Sequence, residues 1–356
     1  LNQGQDQDQL ERSEAIQPEL RVIDAYNPQD RLVQWVREFG ITTIHTGHAP
    51  GLPLSGQTMV AKTTGDTIAE VVRVPTAMIA VTLGNSAVKK VKGEHAAPGT
   101  RAKLVAMLRT DLVLAQQYIR KLDSAPEDKK PDRDLRLEVL ARALNREIPM
   151  LITAQKSQDI MTALRLGREF NLRIILDGAA EAHMVIEELQ RAKVPVILHP
   201  TMSRAQGETK NLSMETAARL KQAGVLFALQ SGYESYVPKT RVVLFEAAVA
   251  VVYGLAYEDA LAAVTIDAAR ILGIDRFVGS LEVGKAADFI ALDLSRLEYA
   301  GALHDPVAAA MFAAPVTVDF NYVGGRSVVV EGRLATLELE PLIERHNRLA
   351  GGLLDA

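Results

Sequence analysis

The chain has 356 residues, 48% of them hydrophobic and 24% charged, enough to bury a large core in one main domain with a small satellite. A formal net charge of −4, with no basic cluster interleaved with aromatic side chains, excludes a nucleic-acid footprint, and no apolar run reaches the roughly 18 residues of a membrane span, so a soluble chain is expected. Cysteine is absent, which excludes disulfides, thiolate zinc sites and a cysteine nucleophile and leaves the compartment, cytoplasmic or exported, unsettled.

The opening Leu1-Asn2-Gln3-Gly4-Gln5 is polar, lacks an initiating Met and shows neither region of a signal peptide, so a fragment or processed form is expected. Residues 28–39 read as a helix, with Leu32, Val33, Val36 and Phe39 on one face and Gly40 as its stop. Ile41-Thr42-Thr43-Ile44 then reads as a short barrel strand. Alternation over Thr58–Thr63 predicts a second strand or hairpin with Lys62 exposed, and Ala77–Leu83 predicts a more buried one. Helical spacing runs from Arg101 to Leu122, and a charged, proline-containing linker follows over 124–133.

Beyond it the pattern becomes regular. Strands are predicted at 150–152, 173–176, 194–198 and 225–229, with helices at 157–170, 180–191 and 214–223 between and before them. Nearly continuous apolar strands alternating with helices indicate a parallel sheet covered on both faces. A doubly wound open sheet is the rival, but no Gly-x-Gly-x-x-Gly element follows a strand, so a (β/α)8 TIM-like barrel is favoured.

The most specific stretch comes later. Ala268-Ala269-Arg270-Ile271-Leu272-Gly273-Ile274-Asp275 ends a helix, and Gly279-Ser280-Leu281-Glu282-Val283-Gly284-Lys285-Ala286-Ala287-Asp288-Phe289-Ile290-Ala291-Leu292-Asp293 places turns around short strands. This run resembles the C-terminal signature of the amidohydrolase superfamily, most closely its imidazolonepropionase-related branch. The resemblance implies a barrel over residues 1–278, a small appended β-domain over 279–335 with strands at 316–322 and 327–331, and a C-terminal helix or tail over 336–356. It also implies that the first barrel strand, with a His-x-His, would lie before Leu1.

In a parallel barrel the chemistry sits at the C-terminal strand ends. Superfamily members are expected to hold a divalent metal there, zinc first, through imidazoles and a carboxylate that activate water. Where such relatives read His-Ala-His, this chain has Thr153-Ala154-Gln155; for Glu-His-Gly it has Asp177-Gly178-Ala179; for Thr-Thr-Asp it has Gln230-Ser231-Gly232. Against these losses stand His45, His48, His183 and His199 near strand ends, an alternative imidazole set for a metal. The plain alternatives are backbone hydrogen bonding for His45 and His48 and helix-surface solvation for His183. His95, His304 and His346 read as surface residues.

Gln155, Asp177, Arg204, Tyr233, Tyr236 and Lys239 are candidate substrate-binding residues, with Glu234 and Tyr233 as weak catalytic candidates and Thr201 and Glu208 nearby in the loop after His199. The resemblance implies a hydrolase acting on a carbon–nitrogen bond in a cyclic amide, dipeptide-like or N-acyl amino acid substrate. The competing reading is an inactive barrel without metal that binds a small molecule or serves assembly. A homo-oligomer is expected in either case.

Overall fold

The structure, a computed structural model, describes residues 9–88, 98–201, 203–233, 239–313, 317–336 and 338–354. Strands β1 (Thr43–Thr46), β2 (Leu54–Gln57), β3 (Met59–Lys62), β4 (Val72–Val74) and β5 (Ile79–Thr82) precede the long helix Arg101–Ser124. Next come β6 (Met150–Ala154), β7 (Ile174–Gly178), β8 (Val196–Leu198) and β9 (Phe227–Leu229), separated by helices, and then β10 (Phe289–Ala291), β11 (Phe320–Val323), β12 (Arg326–Val330) and β13 (Arg333–Leu334).

The main sheet has the order β2-β5-β6-β7-β8-β9. From β5 to β9 every pair is parallel, while β2 joins β5 antiparallel. This is the barrel-type α/β sheet that the apolar runs predict. Among the described residues no pairing joins its β9 end to its β2 end.

The helices between strands start where side chains can take up their free amides. Thr100 accepts from the Lys103 amide, and Asp134 accepts from the Arg136 and Leu137 amides ahead of the helix Leu135–Leu144. Their apolar faces meet one face of the sheet. Ile79, Val81, Ile152, Ala154, Ile174, Leu176, Val196, Leu198, Phe227 and Leu229 belong to this large core. The residues between them turn the other way, as a two-residue period requires. Leu151, Ile175 and Ala228 form a second cluster with Met78, Val60 and, from the helix Ile266–Leu272 and its continuation, Ala269, Ile271, Ile274 and Val278.

Two smaller sheets flank this body. β10-β11-β12-β13 form an antiparallel sheet of their own around Val318, Val323, Val328, Val329 and Leu334. The segment read from sequence as a barrel strand at Ile41–Ile44 is instead β1, the edge of an antiparallel sheet β1-β3-β4. Lys62, expected to be exposed, is buried, because both faces of β3 are covered. Among the described residues no helix is long and apolar enough to cross a membrane.

Candidate functional site

The second face of the sheet changes character toward the C-terminal strand ends. Two residues beyond Leu151, Ile175 and Ala228 come Thr153, Asp177 and Gln230, and two beyond Ile197 comes His199. Alternation therefore directs four polar side chains to the face that is apolar one pleat below.

Asp177 is the centre of this layer. Thr153 stands opposite it in the β6–β7 register and donates its hydroxyl to Oδ2 at 2.6 Å. The Gln230 amide donates to Oδ1 at 2.9 Å and to the Ile197 carbonyl at 3.1 Å. Asp177 is only 2% exposed. Burial pushes its carboxyl up to about 6, with the hydrogen bonds from Thr153, Gln230 and Gly178 pulling the other way.

His199 is also 2% exposed, and neither ring nitrogen meets a hydrogen-bond partner among the described residues. Its backbone amide donates to the Gly178 carbonyl at 2.6 Å, which sets the strand end beside β7. Burial first, and the charge of nearby His183 second, push its pKa down to about 4, so the ring is neutral at pH 7. His183 lies half-buried in the turn Ala182–Met184, its Nδ1 3.4 Å from the Thr216 hydroxyl.

Gln155 folds over the end of β7. Its Oε1 accepts from the Ala180 amide at 3.2 Å, and its side chain covers Gly178, where an added Cβ would come within 2.8 Å of the Gln155 Cδ. Gly178 has φ +79°, so the backbone here also favours glycine.

His45 and His48 stand elsewhere. His45 Nε2 lies 2.7 Å from the Thr58 hydroxyl, and the Thr58 amide donates to Met78 at the N-terminal end of β5. From Met78 to Thr82 is roughly 13 Å of strand. His48 packs on Gly56 of β2, which pairs with Ala80 midway along β5. Tyr233 is half-exposed just after Gly232, Arg204 is exposed, and Lys239 opens the turn Lys239–Val242. Glu234, Tyr236 and His95 fall outside the described residues; His304 and His346 are exposed.

Three carboxylates that fasten the rim carry no motif. Glu181 accepts from the Ser157 amide and hydroxyl and from the Asn211 side chain. Glu246, fully buried, accepts from the Thr201 amide at 2.6 Å and from its hydroxyl. Glu208 accepts from the Asn85 and Ser86 amides. The signal for Glu246 is a lone charge within the apolar run Val243–Val252, an arrangement that requires a buried partner.

The donor set does not suit a resident divalent ion. Beside one carboxyl, Asp177, and one imidazole, His199, the strand-end positions present only Thr153, Gln155, Gly178 and Gln230, and among the described residues no group of three or more His, Asp or Glu is placed to hold a metal. Neutral oxygens and amides neither neutralise the ion's charge nor match the imidazole ligands expected for zinc. What the layer can do is hydrogen-bond a polar ligand around one carboxyl whose ionisation falls near neutrality.

A parallel sheet covered by helices, with a polar layer at its C-terminal strand ends, fits the barrel class of α/β folds. A sequence profile described as the amidohydrolase family matches residues 159–335. The chain also resembles the structure of an amidohydrolase from Thermotoga maritima, with TM-score 0.79 and 26% identity, over 91% of this chain and 81% of that one. Residues 159–335 thus carry an amidohydrolase-family domain, and the fold of the chain is similar to that of an amidohydrolase. Among curated relatives, the 8-oxoguanine deaminase of Pseudomonas aeruginosa is 32% identical over 167 residues, 47% of this chain and 31% of that protein. An imidazolonepropionase of the same species is 57% identical over 44 residues, 12% of this chain and 11% of that protein. The matched segments thus span at most about a third of these two relatives.

Proposed function

We propose that the polar layer around Asp177 binds a small carbon–nitrogen compound, a cyclic amide, a dipeptide-like molecule or an N-acyl amino acid, and hydrolyses its carbon–nitrogen bond with Asp177 handling the proton. The observation that carries this reading is a buried carboxyl with its pKa at about 6, held by two neutral donors. A general base is most effective when it changes charge near the working pH. Thr153 and Gln230 orient Asp177 without fixing it ionised, as a guanidinium or metal ion would. Neutral His199 offers one ring nitrogen as donor and the other as acceptor to the ligand. The substrate class is supported by the relatives, a deaminase and an imidazolonepropionase among them.

The test is a turnover screen of cyclic amides and N-acyl amino acids, with metal content measured by elemental mass spectrometry on chain purified without chelator. Turnover of at least one compound without a stoichiometric divalent ion is expected, with Asp177→Asn slower by ~10²- to 10⁴-fold. Activity that survives Asp177→Asn, or that tracks one divalent ion per chain and is lost on chelation, overturns the assignment. A second reading, binding without turnover, is favoured by Thr153, Gln155, Gly178 and Gly232 standing where the resemblance expects ligands and the base. In that case a compound from the panel raises the melting temperature and no product forms.

A further inference from the structure

We propose that the cradle formed by Gly84, Asn85, Ser86 and Arg101 is a binding site for a small carboxylate, and that the chain's own Glu208 occupies it as a displaceable stand-in. Just past β5, Gly84 has φ +105°, and the next two amides turn toward one carboxylate. Asn85 donates to Glu208 Oε1 at 2.7 Å and Ser86 to Oε2 at 3.1 Å, while the Arg101 Nη2 lies 3.4 Å from Oε1. Two converging backbone amides and a guanidinium are a standard means of holding a carboxylate. A Cβ at position 84 would come within 2.6 Å of Glu208 Oε1 and 3.0 Å of Asp159 Oδ2, so the cradle needs a residue without a side chain there.

Three observations distinguish a ligand site from a simple latch. Arg101 is already paired through two hydrogen bonds with buried Asp159, at 2.8 and 3.2 Å, so Glu208 is not needed to neutralise it. The loop that carries Glu208 is pinned on both sides of it, by Thr201 on Glu246 and Asn211 on Glu181, so its course does not depend on the Glu208 contact. Next to the cradle opens a cavity of about 200 Å³, lined by Leu83, Leu104 and Val105 together with Gln158 and Thr162. The cavity has room for the body of a small acid whose carboxylate replaces that of Glu208, and Arg101 keeps a third of its side-chain surface in solvent.

This site is separate from the chemistry assigned to Asp177 and is tested without turnover. Succinate is titrated calorimetrically into the full chain and its variants, with inorganic phosphate as the comparison anion. Because an intramolecular competitor lowers apparent affinity by the fraction of time it occupies the cradle, Glu208→Ala is expected to bind succinate about ten-fold or more tighter than the native chain. Arg101→Met is expected to lose the binding. Should Glu208→Ala melt below the assay temperature, Glu208→Gln removes the charge with less disturbance and is expected to gain affinity in the same direction. No gain in either Glu208 variant, undiminished binding by Arg101→Met, or tighter binding of phosphate than of succinate would overturn the proposal.

Discussion

Asp177 occupies a position where a neutral side chain would be the more stable choice. Burial raises its carboxyl from 3.8 to about 6, so the folded chain holds that proton more tightly than the unfolded one. Its contribution to stability is complete below about pH 3.8 and is lost as pH rises through about 6. At neutral pH the ionised group therefore costs on the order of 3 kcal/mol relative to a neutral isostere. Asp177→Asn is expected to unfold at higher urea than the native chain above pH 6 and to lose that advantage below pH 4. His199, whose depressed pKa makes stability fall toward acid, is common to both chains and cancels in the comparison. A variant less stable at neutral pH would show that the hydrogen bonds to the carboxylate outweigh its desolvation. The sequence makes Asp177 and His199 visible, since each closes an apolar run. It gives no sign that His45 sits at the far end of the sheet, because a His-x-x-His spacing carries no information about which strand the pair will join.

At the scale of elements, β6 to β9 are legible because a strand covered on both faces is written as a continuous apolar run, as in Met150-Leu151-Ile152. β1 is not, because Ile41-Thr42-Thr43-Ile44 specifies an extended segment without specifying its partner, and the partner proves to be β3. The end of β7 was legible in part: Gly178 is visible as the residue at the position of an expected histidine, but not its left-handed backbone or the Gln155 side chain lying over it. That combination gives Gly178→Ala two separate faults, a strained φ and a collision with Gln155. A loss of about 1–3 kcal/mol is expected in denaturant unfolding. Combining the change with Gln155→Ala should relieve the collision and leave the backbone strain. Unchanged stability of Gly178→Ala would mean that the β7 loop moves freely enough to take up both.

Across the whole molecule, the polypeptide near its beginning is fastened to the polypeptide near its end by buried polar groups. Lys62 of β3 pairs with Asp288, their side chains 4% and 7% exposed, and also donates to the Thr43 hydroxyl at 2.9 Å. Asp288 in turn accepts from the Gly324 amide at 2.6 Å. Nearby, the Arg37 guanidinium donates to the Thr63 carbonyl and to the Thr336 hydroxyl, and the Asn321 side chain donates to the Arg37 carbonyl at 2.8 Å. None of this is readable from spacing, since 226 residues separate Lys62 from Asp288. Burial lowers the Lys62 pKa while Asp288 raises it, so the pair stands only as long as both charges are present. Asp288→Asn leaves an ammonium in the interior without its counterion, which typically costs about 3–5 kcal/mol, whereas replacing both members by apolar residues of similar volume is often close to neutral. Denaturant unfolding of Asp288→Asn, Lys62→Met and the double variant Lys62→Met/Asp288→Leu is therefore expected to show two weak single variants and a double variant near the native chain. Single variants within about 1 kcal/mol of native would instead assign the pair the weak energetics of a surface contact. The hold between the two ends would then rest on the Arg37–Asn321 contacts and on Ile290 packed against Gly40.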